Sequence, residues 1–170
     1  MVKCKTESKA ERMDLMDLMQ VRVATPEDEA SVCRLWTMLL KFYNKSASPE
    51  VLEKSFRYAV DHPHKVLIFI ILIEGVVTGT ASLHLGHYST WNDNYYGHVE
   101  DVIIDPTHRG KGLALVLLKE VLRVAKEKKL SRVELNALND NYPARRLYEK
   151  LGFTTDSVAY ELALNKDINN

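Results

Sequence analysis

Between an apolar run and an apolar-faced helix lies His108-Arg109-Gly110-Lys111-Gly112, two glycines interleaved with cationic side chains. A helix N-terminus presents unpaired N–H groups and a partial positive charge. Glycine lets the main chain approach a ligand without obstruction, and Arg109 and Lys111 add full charges. These residue types in this order make a cradle for an anion, most naturally a phosphate or pyrophosphate. The alternative is a solvated loop whose glycines only turn the chain. Two common phosphate loops fail on spacing. A Walker loop needs glycine where Asp105 stands and Ser or Thr where Gly112 stands, and a dinucleotide fingerprint needs a third glycine where Leu115 stands.

The cradle must be held by a strand before it and a helix after it. The run HVEDVIIDP is a strand ended by Pro106, and Ala114, Leu117, Leu118, Val121, Leu122 and Ala125 form one apolar helical stripe. Upstream, residues 20–25 alternate as a short strand. Thr25-Pro26-Glu27-Asp28 then carries the capping and dipole signals of a helix start. Ser48-Pro49-Glu50 opens a second helix to about Val60, ended by His62-Pro63. Two β-rich runs flank Glu74-Gly75 as a hairpin. The segment HYSTWNDNYYG, residues 87–97, shows no period and reads as a loop or frayed edge. SRVELNAL is a strand, NYPARRLYEKLG a helix stopped by Gly152, and SVAYELAL a last strand. The order β-α-α-β-β-β-α-β-α-β makes a mixed α/β (α+β) sheet with helices packed on it.

At 170 residues and 46% hydrophobic content, the chain is one ordinary domain with a sizeable core. Residues 1–18 read as an arm, loose or briefly helical, and 19–170 as a single domain. Lys plus Arg and Asp plus Glu both number 23, which gives no global case for nucleic acid or an acidic membrane surface as partner. No run reaches the length of a membrane span; the longest, VLIFIILI, has strand length. Cys4 and Cys33 are too few for a disulfide framework, so a reduced, cytoplasmic protein is expected. No H-E-x-x-H or paired-cysteine spacing occurs, and no metal is expected.

A further pattern fits. Arg109-Gly110-Lys111-Gly112-Leu113-Ala114 matches [QR]-x-x-G-x-[GA], and residues 141–153, NYPARRLYEKLGF, match N-x-x-A-x-x-[LF]-Y-x-x-x-G-F. In both motifs the chain resembles the GNAT superfamily of N-acetyltransferases, as it does in element order. The resemblance implies a sheet with two splayed strands and acetyl-CoA as acetyl donor. It implies that main-chain N–H groups of Arg109, Gly110, Lys111, Gly112, Leu113 and Ala114 hold the pyrophosphate. Val102, Ile103 and Ile104 would pair with the pantetheine arm as an added strand, and Asn141 would bond that arm while also capping its helix.

The resemblance also implies direct acetyl transfer to a primary amine, with Tyr148 near the cofactor sulfur as general acid; a helix-packing tyrosine is the alternative. Candidate bases precede the cradle. Glu100 ranks first, then His98, which alternates onto the same face, then Asp101, which points to the other face unless a bulge intervenes. Glu100 serves equally as a substrate-binding carboxylate. His84, His87, Trp91, Asn92, Asp93, Tyr95 and Tyr96 could line the acceptor cleft. For the acceptor, a small-molecule amine is favoured. The run GHVEDVIIDPTHRGKGLA is similar to the glucosamine-6-phosphate N-acetyltransferases, although the second motif departs from theirs. ASLHL resembles aminoalkylphosphonate acetyltransferases. Protein acetylation and a non-catalytic CoA-binding module are the other readings. Dimers are frequent in the family, which leaves a homodimer open, with Val66–Ile73 either at an interface or inside a sheet.

Overall fold

A computed structural model of the chain describes residues 18–91 and 93–155. The elements run β1 (Met19–Val23), a 3-10 turn (Pro26–Asp28), α1 (Glu29–Phe42), α2 (Pro49–Asp61), β2 (Val66–Ile73), β3 (Val76–Ser89), β4 (Asn94–Ile104), a second 3-10 turn (Pro106–His108), α3 (Leu113–Glu127), β5 (Val133–Leu135) and α4 (Tyr142–Lys150). This is the expected order through its ninth element. The strand expected in SVAYELAL, most of the N-terminal arm and Asn92 lie outside the described residues.

The strands lie in the order β1-β2-β3-β4-β5, antiparallel except for the parallel β4–β5 pair. The β2–β3 hairpin turns at Glu74 and Gly75, both at positive φ (50° and 79°), as a two-residue turn that matches strand twist requires. Residues 87–97, expected as a loop or frayed edge, are strand for most of their length. His87, Tyr88 and Ser89 pair with Tyr96, Tyr95 and Asn94, extending β3 and β4 into one long hairpin. The aromatic content of the paired residues, Tyr88, Tyr95 and Tyr96, outweighs the segment's lack of a polar–apolar period.

Strand β2 explains why VLIFIILI is apolar at every position. Ile68, Ile70 and Leu72 enter a core with α1 and α2, while Leu67, Phe69 and Ile71 enter a second core with α3. A strand covered on both faces has no polar side, so this run is interior.

Strand β4 changes face partway. Val99 belongs to the α3 core and Ile103 to the α1–α2 core, yet residues four apart in a regular strand share a face. The register supplies the cause: Ser82 pairs with Glu100 and Thr80 with Ile103, so β4 carries one extra residue opposite Ala81. Asp101, at φ 54°, is the bulge.

Strand β5 is shorter than the expected SRVELNAL. Val133, Leu135 and the residue between them pair with Gly97–Val99. Beyond Val99, β4 has no ladder partner on its β5 side among the described residues, and the two strands part.

Candidate active site

The parting of β4 and β5 opens a cleft of about 420 Å³. Val102, Ile103 and Ile104 form one wall, Asn136 and Ala137 the continuation of β5, and Asn141, Pro143, Ala144, Leu147 and Tyr148 the α4 side. Leu39, Phe42 and Tyr43 from the end of α1 close it. The α1 residues were missed as site residues because their helical spacing reads only as packing. Arg109 and Ala114 mark the cleft's other end.

At that end the main chain is left open. The N–H groups of residues 110–114 have no hydrogen-bond partner among the described residues. Gly110 and Gly112 hold φ of 81° and 80°, where a side chain would be strained. Arg109 differs from its expected role. Its N–H points to Pro106 O at 3.5 Å and its Nε donates to Ile104 O at 3.1 Å. Its guanidinium therefore folds over the end of β4, and the open amides begin one residue later. Leu113 offers only its main chain, because its side chain is buried in the α3 core.

A lock behind the turn holds it. The Asp105 carboxylate accepts from Thr107 N–H at 3.0 Å and Thr107 Oγ1 at 2.7 Å, capping the 3-10 turn. It also accepts from Arg34 Nη1 of α1 at 2.6 Å, and Arg34 Nη2 donates to Val77 O at 3.3 Å. The Arg34 guanidinium, then the Thr107 donors, hold this carboxyl well below the usual range.

Tyr148 lines the cleft half-buried, its ring edge-on to Phe153 at 6.0 Å. Burial, and then the nearby Tyr43, push its phenol up to about 12, so it stays protonated. Asn141 Oδ1 accepts from Ala144 N–H at 3.3 Å, the expected helix cap.

A second group of polar side chains flanks the bulge. Ala81 and Leu83 face the α3 core, so Ser82 and His84 alternate onto the opposite face. His84 Nε2 lies 3.3 Å from Glu100 Oε2, and His98 Nε2 lies 3.6 Å from Glu100 Oε1. Asp101 would face away in a regular strand; the bulge turns it to the same side, where Ser82 Oγ donates to its Oδ2 at 3.1 Å. Burial pushes the Asp101 carboxyl up, with the Ser82 bond opposing and Glu100 reinforcing the shift.

The expected site residues thus divide. Val102, Ile103, Ile104, Arg109, Ala114, Asn141 and Tyr148 share the cleft, while Gly110, Lys111 and Gly112 form the turn at its end. His84, His98, Glu100 and Asp101 form the group beside the bulge. Trp91, 93% exposed, stands apart at the hairpin turn. Tyr96 also lies apart, stacked on His87 and covered by the Arg132 guanidinium at 3.8 Å. It lies four positions from Glu100 along β4, about 13 Å.

A family model described as the acetyltransferase (GNAT) family matches residues 33–153. The glucosamine 6-phosphate N-acetyltransferase of Trypanosoma brucei brucei is 35% identical over 79 residues, 46% of this chain and 52% of that protein. The chain therefore matches about half the length of that relative. The thialysine N-epsilon-acetyltransferase of Bos taurus is 28% identical over 146 residues, covering 81% of this chain and 85% of that protein. The crystal structure of a probable acetyltransferase superposes with a TM-score of 0.79 at 22% identity, over 87% of this chain and 99% of that one.

Proposed function

The chain belongs to the GNAT acetyltransferase family, and we propose that it transfers the acetyl group of acetyl-CoA to the primary amine of a small molecule. One observation carries the reading: among the described residues, a strand edge without a ladder partner lines the cleft, and a turn of five amides without partners stands at its end, between Arg109 and Ala114. The residues fit the donor. The amides of residues 110–114 suit a pyrophosphate, with Lys111 adding charge. The β4 edge at Val102, Ile103 and Ile104 suits the amide groups of pantetheine, assisted by Asn141. Tyr148 lines the same cleft.

Transfer requires a neutral amine nitrogen. It attacks the thioester carbonyl, the C–N bond forms, the C–S bond breaks, the nitrogen loses one proton and the sulfur gains one. An alkyl ammonium has a pKa near about 10, so a base or water relay is needed at neutral pH. Glu100, bridged by His84 and His98, supplies carboxylate and imidazole acceptors on the bulge side. Asp101 adds a second carboxyl that can draw an ammonium in. Tyr148 donates a hydrogen bond to the departing sulfur. A phenol near 12 is a weaker acid than a thiol near about 8.5. It therefore stabilises the thiolate chiefly by charge-assisted hydrogen bonding, and the proton lost by the amine completes the balance.

A phosphorylated amino sugar is the second reading for the acceptor, supported by the identity to the trypanosomal enzyme and the G-H-V-E-D run. The cytoplasm is the proposed place of action, on cysteine content alone; no helix of the described residues is long and apolar enough to cross a membrane.

Calorimetric titration with acetyl-CoA, with acetate and AMP as controls, tests the cradle. Thiol release over a panel of amines, amino-sugar phosphates and peptides tests the transfer. Saturable binding with amine-dependent thiol release is expected. Folded protein that binds no acetyl-CoA overturns the reading.

A further inference from the structure

The bulge gathers a donor set beyond what drawing in one amine requires. His84 on β3 and Glu100 and Asp101 on β4 each present one ligand atom, and these atoms lie within 4.8 Å of one another. We propose that His84, Glu100 and Asp101 form a binding site for a divalent transition-metal ion of the zinc class.

Four observations support this. First, one imidazole nitrogen with two carboxylate oxygens is a donor set that zinc accepts, and the imidazole disfavours calcium or magnesium. Second, His84 Nε2 is shielded from solvent and has no hydrogen-bond partner among the described residues. Glu100 Oε2 is only 3.3 Å away, but the pair lacks hydrogen-bonding geometry. A buried polar atom without a partner calls for one, and a metal ion would engage its lone pair. Third, the left-handed residue at 101 brings two consecutive carboxyls to one face, where a regular strand would separate them. Two neighbouring carboxylates, one of them largely buried, repel each other, and a divalent ion neutralises both. Fourth, Ser82 Oγ holds Asp101 by Oδ2, which orients the carboxylate and leaves Oδ1 available, as outer partners of metal ligands do.

Tetrahedral zinc places its ligand atoms roughly 3.3 Å apart, so the set must contract. Glu100 is the exposed member and can swing inward. Three protein ligands leave one position open, and His98 Nε2 stands 3.6 Å from Glu100 Oε1. The ligands come from two strands and a bulge, so no linear metal spacing marks them in the sequence. An ion held there would occupy the carboxylates the acceptor amine is to meet. That consequence rests on the proposed acetyl transfer; metal binding does not.

The test uses the tag-free chain, stripped of metal with a chelator and titrated with zinc chloride in the absence of acetyl-CoA. Single-site saturable binding is expected, weakened at least ~10-fold in both His84→Gln and Asp101→Asn. It should be unchanged in His62→Gln, which removes one ring of the separate His62–His64 pair. Zinc should also raise the unfolding temperature of the parent chain and not of the first two variants. Absence of saturable binding, binding that survives both His84→Gln and Asp101→Asn, or binding lost with His62→Gln overturns the proposal. Should His84→Gln fail to fold, Asp101→Asn decides alone, since Asn tolerates the left-handed conformation. With an amine substrate in hand, zinc should compete with the amine and not with acetyl-CoA. A chain that binds zinc but never acetyl-CoA would refute the transfer and keep the site.

Discussion

Two regions meet on β4 and are made of different material. Toward α3 and α4, the candidate donor site is mostly main chain: a strand edge and the amides of residues 110–114, both without partners among the described residues. On the other face, beside the bulge, the group is made of side chains: His84, His98, Glu100 and Asp101, close together, with Ser82 holding Asp101. A main-chain site is set by backbone conformation, so its side chains can vary while its glycines cannot. A side-chain site keeps its chemistry only while a tertiary feature, here a single extra residue in β4, keeps the groups on one face.

That difference predicts which substitutions do most harm. Gly112→Glu is expected to have the largest effect. It forces a side chain into φ 80° and sets a negative charge beside the amides meant for an anion. Acetyl-CoA affinity should fall by at least ~100-fold, about 2.7 kcal/mol, with the circular dichroism spectrum unchanged. Retained affinity would mean that the turn does not hold the pyrophosphate. Tyr148→Phe keeps the ring against Phe153 and removes only the hydroxyl. Turnover should drop by roughly 100-fold, while the KM for acetyl-CoA shifts little. Equal turnover would return Tyr148 to a packing role.

The same difference governs what could be read from the sequence. The turn was legible because Pro106, Gly110 and Gly112 have backbone consequences that do not wait for tertiary structure. The hairpin at Glu74-Gly75 and the cap at Asn141 were legible for the same reason. The position of Asp101 was not. Its alternation assigns it to the wrong face, and only the separation of Val99 and Ile103 into different cores reveals the extra residue. Leu39, Phe42 and Tyr43 escaped because an apolar helix end looks alike whether it covers a core or a cleft. Residues 87–97 read as a loop or frayed edge because an exposed hairpin end needs no hydrophobic alternation. Arg34 and Asp105 lie 71 residues apart, beyond any local pattern.

That pair ties α1 to the turn behind the donor site. Arg34→Ala should lower stability by about 1 to 2 kcal/mol, or about 3 to 8 °C in unfolding temperature for a domain of this size. It should also weaken acetyl-CoA binding more than it slows turnover at saturation. Asp105 has a depressed folded pKa, so its contribution is full above the unfolded value near about 3.9 and is lost as pH falls through the folded one. The difference in unfolding temperature between parent and variant should be constant from neutral pH down to about 5 and close in stronger acid. A difference that persists unchanged in acid would show that Arg34 acts by packing alone.

The smallest expected effect has the opposite sign and separates the two regions most sharply. Burial raises the Asp101 carboxyl. A carboxyl whose pKa is higher folded than unfolded favours the folded state fully below its unfolded value and loses that contribution as pH rises through the folded one. At neutral pH, above the unfolded value, this carboxyl therefore costs the fold stability. Asn keeps the shape, suits the left-handed backbone and can still accept from Ser82, but carries no charge. Asp101→Asn should thus unfold at a higher temperature than the parent at pH 7, with the gain fading below about pH 4, where Asp101 is protonated folded and unfolded alike. Amine acetylation should fall in the same variant while acetyl-CoA affinity is kept. Greater stability with less transfer would mark the bulge side as a place where the chain gives up stability for chemistry. A variant that is less stable at pH 7 would instead make the Asp101 carboxylate part of what holds the bulge.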